Sequence, residues 1–172
     1  KEKIFQYILE NDEIKNVIFH AYWSFYIDKK KVNSLADTSI NEIIIEQFKR
    51  LNEKNKNIFI ILGVPNYSHN PKKYIFRKKI FNKKIKNINN ITFINLKNHF
   101  EKNKENQRIF NSLELDKLYI YDPTTSLCDG LRCYSILKGK PIYRDESHIS
   151  KKESFLFYKN LNKFLDIKLL KN

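Results

Sequence analysis

Three runs of nearly uninterrupted apolar and aromatic residues constrain the fold most: VIFHAYW at 17–23, IFIIL at 58–62 and KLYIY at 117–121. A strand with one wet face alternates apolar and polar side chains, so a run without alternation is expected of a parallel strand covered on both faces. ITFINL at 91–96 reads as another such strand. Pro65, which cannot donate to a sheet ladder, closes the second run. Helical spacing fills the gaps. Ile4, Phe5, Ile8 and Leu9 precede the first strand, and Ile43, Ile44, Phe48 and Leu51 follow a Ser39/Glu42 capping box. A basic surface helix is predicted from Pro71 to Asn87, and a polar helix near 100–114. Strands alternating with helices predict an α/β fold, a mainly parallel sheet with helices on both sides. The length of 172 residues fits one domain spanning 1–172.

The stretch DPTTSLCDGLRCYSILKGKPIYRDESHIS at 122–150 carries most of the readable chemistry. Asp145 and His148 stand three residues apart before a helix start, a spacing that lets one carboxylate hold one imidazole. A histidine whose Nδ1 proton is held by aspartate keeps Nε2 free to take a proton from a hydroxyl, the base half of a Ser-His-Asp triad. Ser150 and Glu153 form a second capping box, and Phe157, Leu161, Phe164, Leu165 and Leu169 give the closing helix a buried stripe. Trp23 and the loop of Asn66, Tyr67 and His69 fall at strand carboxyl ends, where open α/β sheets bind ligands. Trp23 and Asn66 are therefore candidate substrate contacts, with a packing aromatic and a surface loop as the alternative readings. His20, inside the first strand, reads as a core histidine held by a backbone partner.

Cys128 and Cys133, the two cysteines, flank the turn dipeptide Asp129-Gly130. Three readings are open. A zinc site would need about four ligands, with Cys-x-x-Cys-like pairs that are missing. Free thiols would suit a reducing compartment. A disulfide would clamp a hairpin beside the Asp145/His148 loop, contribute about 2 kcal/mol by loop entropy, and imply an oxidising compartment.

The segment LCDGLRCYSILKGKPIYRDESHIS resembles the end of the SGNH-hydrolase-like domain of membrane O-acyltransferases of the acyltransferase-3 type. In that family a cysteine pair in a short hairpin precedes an apolar-Tyr-x-Asp-x-x-His-Leu/Ile-Ser run and a closing helix. VIFHAYWSFY at 17–26 and IFIILGVPNY at 58–67 extend the resemblance in the same order. It implies a three-layer α/β/α, flavodoxin-like domain, a Cys128–Cys133 disulfide, His148 as base, Asp145 as its orienter and Trp23 near the site. It implies neither metal nor cofactor, an acyl donor delivered by a membrane acyltransferase domain, a cell-envelope polysaccharide acceptor, and the periplasmic face of a bacterial inner membrane.

The family carries its nucleophile in a Gly-Asp-Ser motif on the first strand, whereas Gly63, Gly130 and Gly139 here precede Val, Leu and Lys. Ser24, Ser126, Ser135 and Ser147 lack that setting. The chain contains no methionine and opens on Lys-Glu-Lys, so we expect a piece of a longer protein that lacks the first strand and is inactive alone. A stand-alone carbohydrate esterase with another serine is one alternative. The other is a non-enzymatic basic binding module, suggested by the net charge of +14. Lys, Asn, Ile, Phe and Tyr are enriched together, which reads as compositional bias and a solvated basic surface, so no nucleic-acid partner is expected. No apolar run reaches the 18 residues a membrane span needs.

Overall fold

The structure, a computed structural model, describes residues 2–23, 40–81 and 92–169. The 27–37 loop, Ser24 and the Ser39 cap lie outside them, as do residues 82–91. The chain divides into two compact units, one of residues 1–63 and 103–121, the other of 64–102 and 122–172.

The first unit is built on a parallel sheet. Strands β1 (Asn16–His20), β2 (Asn57–Ile61) and β4 (Leu118–Tyr121) lie side by side in that order, with Val17 opposite Ile58 and Ile58 opposite Leu118. The central strand behaves as its unbroken apolar run predicts: Ile58, Phe59 and Ile60 are all buried. The first run behaves otherwise. β1 lies at the edge of the described sheet and ends at His20, with Val17 buried and Ile18 half exposed. A continuous apolar run describes covered faces only where neighbours exist to cover them.

Helix α1 (Glu2–Glu10) buries Phe5 and Leu9, and α2 (Ile40–Glu53) buries Phe48 and Leu51 against the sheet, while Ile43 of the expected stripe stays exposed. Phe48 packs edge-on to Phe19 at 5.0 Å between ring centroids. Asn55, with φ of 57°, stops α2. The Asn55 and Lys56 N–H groups donate back to Asn52 O and Leu51 O, satisfying carbonyls the helix leaves open. Lys56 is then carried into the interior, where Nζ donates to Asn11 O at 2.9 Å and Ile14 O at 2.8 Å. Its charge thus ties down the turn between α1 and β1.

In the second unit, α3 (Pro71–Phe81) begins with proline at the position where a missing N–H costs nothing. The segment expected as a further parallel strand forms only β3 (Phe93–Asn95), and it pairs antiparallel with β5 (Arg132–Tyr134). Two local contacts account for this. Asn95 Oδ1 accepts the Lys97 N–H and starts α4 (Leu96–Asn111) at once, and the Arg132 guanidinium covers the Phe93 ring at 4.6 Å. A one-turn helix α5 (Thr124–Leu127) and a small hairpin of β6 (Ile136–Leu137) and β7 (Lys140–Pro141) follow, the latter turning through Lys138 and Gly139, both at positive φ. Tyr67, Leu127, Ile142 and Tyr143 form the core of this unit. Ser150 Oγ accepts the Glu153 N–H as expected, but residues 151–154 form turns, so helix α6 (Phe155–Leu169) starts later than the capping box suggested. Its stripe is only partly covered: Phe157 packs on the Tyr67/Tyr143 core, and Leu169 is exposed.

Candidate active site

The Asp145/His148 loop is closed on itself. The Arg144 N–H donates to His148 O at 2.8 Å, and Tyr143 bridges Ile149 across the base of the loop. Inside it Asp145 makes an Asx-turn: Oδ1 accepts the Ser147 N–H at 3.0 Å and the His148 N–H at 2.8 Å. The same carboxylate meets His148 Nδ1 at 2.9 and 3.0 Å. Backbone and ring therefore fix one another. Burial, the largest single influence, pushes the Asp145 carboxyl up, but the Ser147 and His148 N–H groups and the imidazole together outweigh it and hold it well below the usual carboxylate range.

An acceptor-only carboxylate at Nδ1 requires the proton there, leaving the Nε2 lone pair outward. Among the described residues no side chain hydrogen-bonds Nε2, and the His148 side chain is 66% exposed. Ser147 Oγ lies 3.3 Å from Nδ1, on the occupied side of the ring. Ser126 Oγ accepts from Asn160 Nδ2, and Ser135 is fully buried. Arg144, which the sequence reading passed over, lies beside the pair with Nε 3.4 Å from Asp145 Oδ2.

The lowered Asp145 value has a defined sign. A carboxyl whose folded pKa lies below its unfolded one stabilises the fold above the unfolded value, about 3.9, and loses that contribution as pH falls through the folded value. Asp145→Asn should therefore melt below wild type at pH 6, and the gap in Tm should narrow steadily as the pH is taken from about 5 towards 2. A gap independent of pH, read by thermal unfolding, would contradict the ionised pair.

The cysteines are joined. The Cys128–Cys133 disulfide closes a hairpin whose turn is held by Asp129 Oδ1, which accepts the Leu131 and Arg132 N–H groups, with Gly130 at φ of 94°. The zinc and free-thiol readings therefore fall. The Tyr134 hydroxyl donates to Asp129 Oδ2 and, with the Arg132 and Leu131 N–H groups, lowers Asp129 to about 2.

The loop carrying Asn66 belongs to the same unit and runs beside the Asp145/His148 loop. The Tyr67 N–H donates to Glu146 O at 2.8 Å, and Asn70 Nδ2 donates to Arg144 O at 3.3 Å. Asn66 itself is half-buried. Trp23 belongs to the first unit, where it is 5% exposed, donates its indole N–H to Ile61 O at 2.8 Å and packs edge-on to Phe110. His20, read from the sequence as a core histidine, is instead exposed at the end of β1, although its Nδ1 does lie 3.4 Å from the same backbone carbonyl. Tyr67 is the contact that sequence reasoning named without giving it a role; its partners lie 66 and 79 positions away, beyond any local pattern.

A family model described as "SGNH domain (fused to AT3 domains)" matches residues 1–154. Among solved structures, the periplasmic domain of a lipopolysaccharide acetyltransferase from Salmonella ser. Paratyphi A is similar, with a TM-score of 0.51 and 17% identity over 95% of this chain and 61% of that one. At that identity the likeness is one of fold. No curated protein matches the chain.

Proposed function

Because the chain belongs to the family of SGNH domains fused to AT3 domains, we propose that it is the extramembrane acyl-transfer domain of an O-acyltransferase. One observation carries this reading: Asp145 holds Nδ1 of an exposed His148 while Nε2 has no partner among the described residues. Such a ring can accept a proton from a serine hydroxyl as that oxygen attacks an acyl carbonyl, and return it to the leaving group. Asp145 stabilises the imidazolium that forms between the two steps. Loss of the acyl-serine to a hydroxyl of the acceptor repeats the sequence, with His148 taking the acceptor's proton. In this proposal the serine comes from sequence outside this chain, because none of the serines here follows the Gly-Asp pair of the family's nucleophile motif.

The acyl group is acetyl, delivered by the AT3 membrane domain, and the acceptor is a cell-envelope polysaccharide at the periplasmic face of the inner membrane. The fold shared with a lipopolysaccharide acetyltransferase periplasmic domain supports this choice. Among the described residues no helix is long and apolar enough to cross a membrane. Asn66 contacts the acceptor from the loop beside the pair; Trp23, buried in the first unit with its indole N–H on Ile61 O, packs that unit's core.

The chain alone is then silent towards acetyl esters such as 4-nitrophenyl acetate. Turnover that disappears in His148→Ala would support the stand-alone esterase instead, and salt-sensitive glycan binding that survives this substitution would support the binding module.

A further inference from the structure

We propose that Tyr67 is the positioning residue of the Asp145–His148 pair, linking the disulfide hairpin to the loop that carries both side chains. The inference rests on the reading of that pair as the working dyad. Tyr67 is 4% exposed and makes three contacts in three directions. Its hydroxyl donates to Cys133 O at 3.0 Å, inside the hairpin clamped by the Cys128–Cys133 disulfide. Its ring meets Tyr143 edge-on at 4.8 Å, and Tyr143 is the fully buried residue that bridges Ile149 at the base of the dyad loop. Its backbone N–H donates to Glu146 O, at the tip of that loop.

These contacts matter because the dyad has few anchors of its own. Its carboxylate is held by two N–H groups, the imidazole and, at 3.4 Å, Arg144 Nε, all within residues 144–148, so these bonds define the loop's internal shape but not its place. Tyr67 supplies that place, together with the Asn70 bond to Arg144 O. Glu146 lies between Asp145 and Ser147, whose N–H the carboxylate accepts, and a shift of the Glu146 carbonyl rotates the neighbouring peptides of the Asx-turn. The fixed end of the tie is Cys133, which is fully buried, paired with Ile94 on β3 and bonded to Cys128. Burial raises the Tyr67 pKa, so the hydroxyl keeps its proton and stays a donor across the working pH range.

The test is the titration of the Asp145 carboxyl carbon, followed by NMR in the chain labelled at aspartate. Tyr67→Phe keeps the ring, its packing on Tyr143 and the N–H bond to Glu146, and removes the hydroxyl with its bond to Cys133 O and its interaction with the Tyr143 hydroxyl. We expect the Asp145 midpoint to rise towards about 3.9, by roughly one pH unit, a tenfold change in proton affinity. Tyr74→Phe is the control. Tyr74 is buried in the same unit and its hydroxyl has no hydrogen-bond partner among the described residues, so Asp145 should titrate as in wild type. A Tyr67→Phe protein that melts earlier but titrates unchanged at Asp145 overturns the inference, because a structural role alone lowers Tm. Wild-type protein gives a second answer: the Tyr67 hydroxyl proton should exchange slowly, and rapid exchange would overturn the tie to Cys133. Acyl transfer that survives His148→Ala would remove the dyad reading itself, an outcome separate from an unmoved Asp145 titration.

Discussion

Replacing His148 with alanine in the AT3-fused protein is expected to lower acyl transfer by three to four orders of magnitude, on the scale seen when one member of a Ser-His-Asp set is removed. The physical reason is narrow. Without Nε2 the serine hydroxyl keeps its proton, and the leaving group has no acid to receive it. Asp145→Asn should cost about as much, roughly 10⁴-fold, for a different reason: an amide can donate to Nδ1 and stabilise the wrong tautomer. Measured as acetyl groups placed on polysaccharide by cells carrying each variant, the two losses should resemble the loss in the double variant, since residues acting as one unit are not additive. A variant of either residue within tenfold of wild type would contradict the assignment.

The second large effect concerns stability. Phe48 is 1% exposed and lies between Phe19, at 5.0 Å, and Phe110, at 6.3 Å between ring centroids. Phe48→Ala should cost about 3–5 kcal/mol, combining the lost transfer energy with the cavity left between two rings that cannot collapse onto each other. That is a large part of the 5–15 kcal/mol that typically holds a domain folded. The one tryptophan, Trp23, packs at 5.0 Å on Phe110 in the same cluster, so its fluorescence in a urea titration reports on this core. An unchanged midpoint would mean that Phe48 does not pack as described.

What the sequence revealed follows the range of the forces involved. The Asp145–His148 pair was legible because its geometry is made within four residues, by an Asx-turn that any chain with Asp and His at that spacing can form. The Asp129-Gly130 turn inside the cysteine pair was legible for the same reason. IFIIL was read correctly because it is the central strand, where burial depends on composition alone. VIFHAYW was over-read: Ile18 is half exposed because covering a strand needs a neighbour, and no local pattern encodes one. The segment at 91–96 reads as a further parallel strand, but its partner, β5, lies some forty residues downstream in the cysteine hairpin. The closing helix begins at Phe155 because Ser150 caps a turn, with Ser154 and Glu153 N–H groups returning to Ser150 O, before helical bonding takes over. The resemblance in the cysteine and Asp-x-x-His segments added the family, which the match over residues 1–154 shows. The tie through Tyr67 was invisible, since a tyrosine in a loop reads as surface until its hydroxyl is found on Cys133 O.

We propose that His148 serves a serine lying outside this chain. Labelling the AT3-fused protein with a fluorophosphonate, which bonds only to an activated serine oxygen, and mapping the modified peptide by mass spectrometry tests it directly. The account predicts one labelled serine, outside residues 1–172, with labelling lost in His148→Ala. Label on Ser68, Ser126, Ser147 or any other serine of this chain, or labelling indifferent to His148, would contradict it.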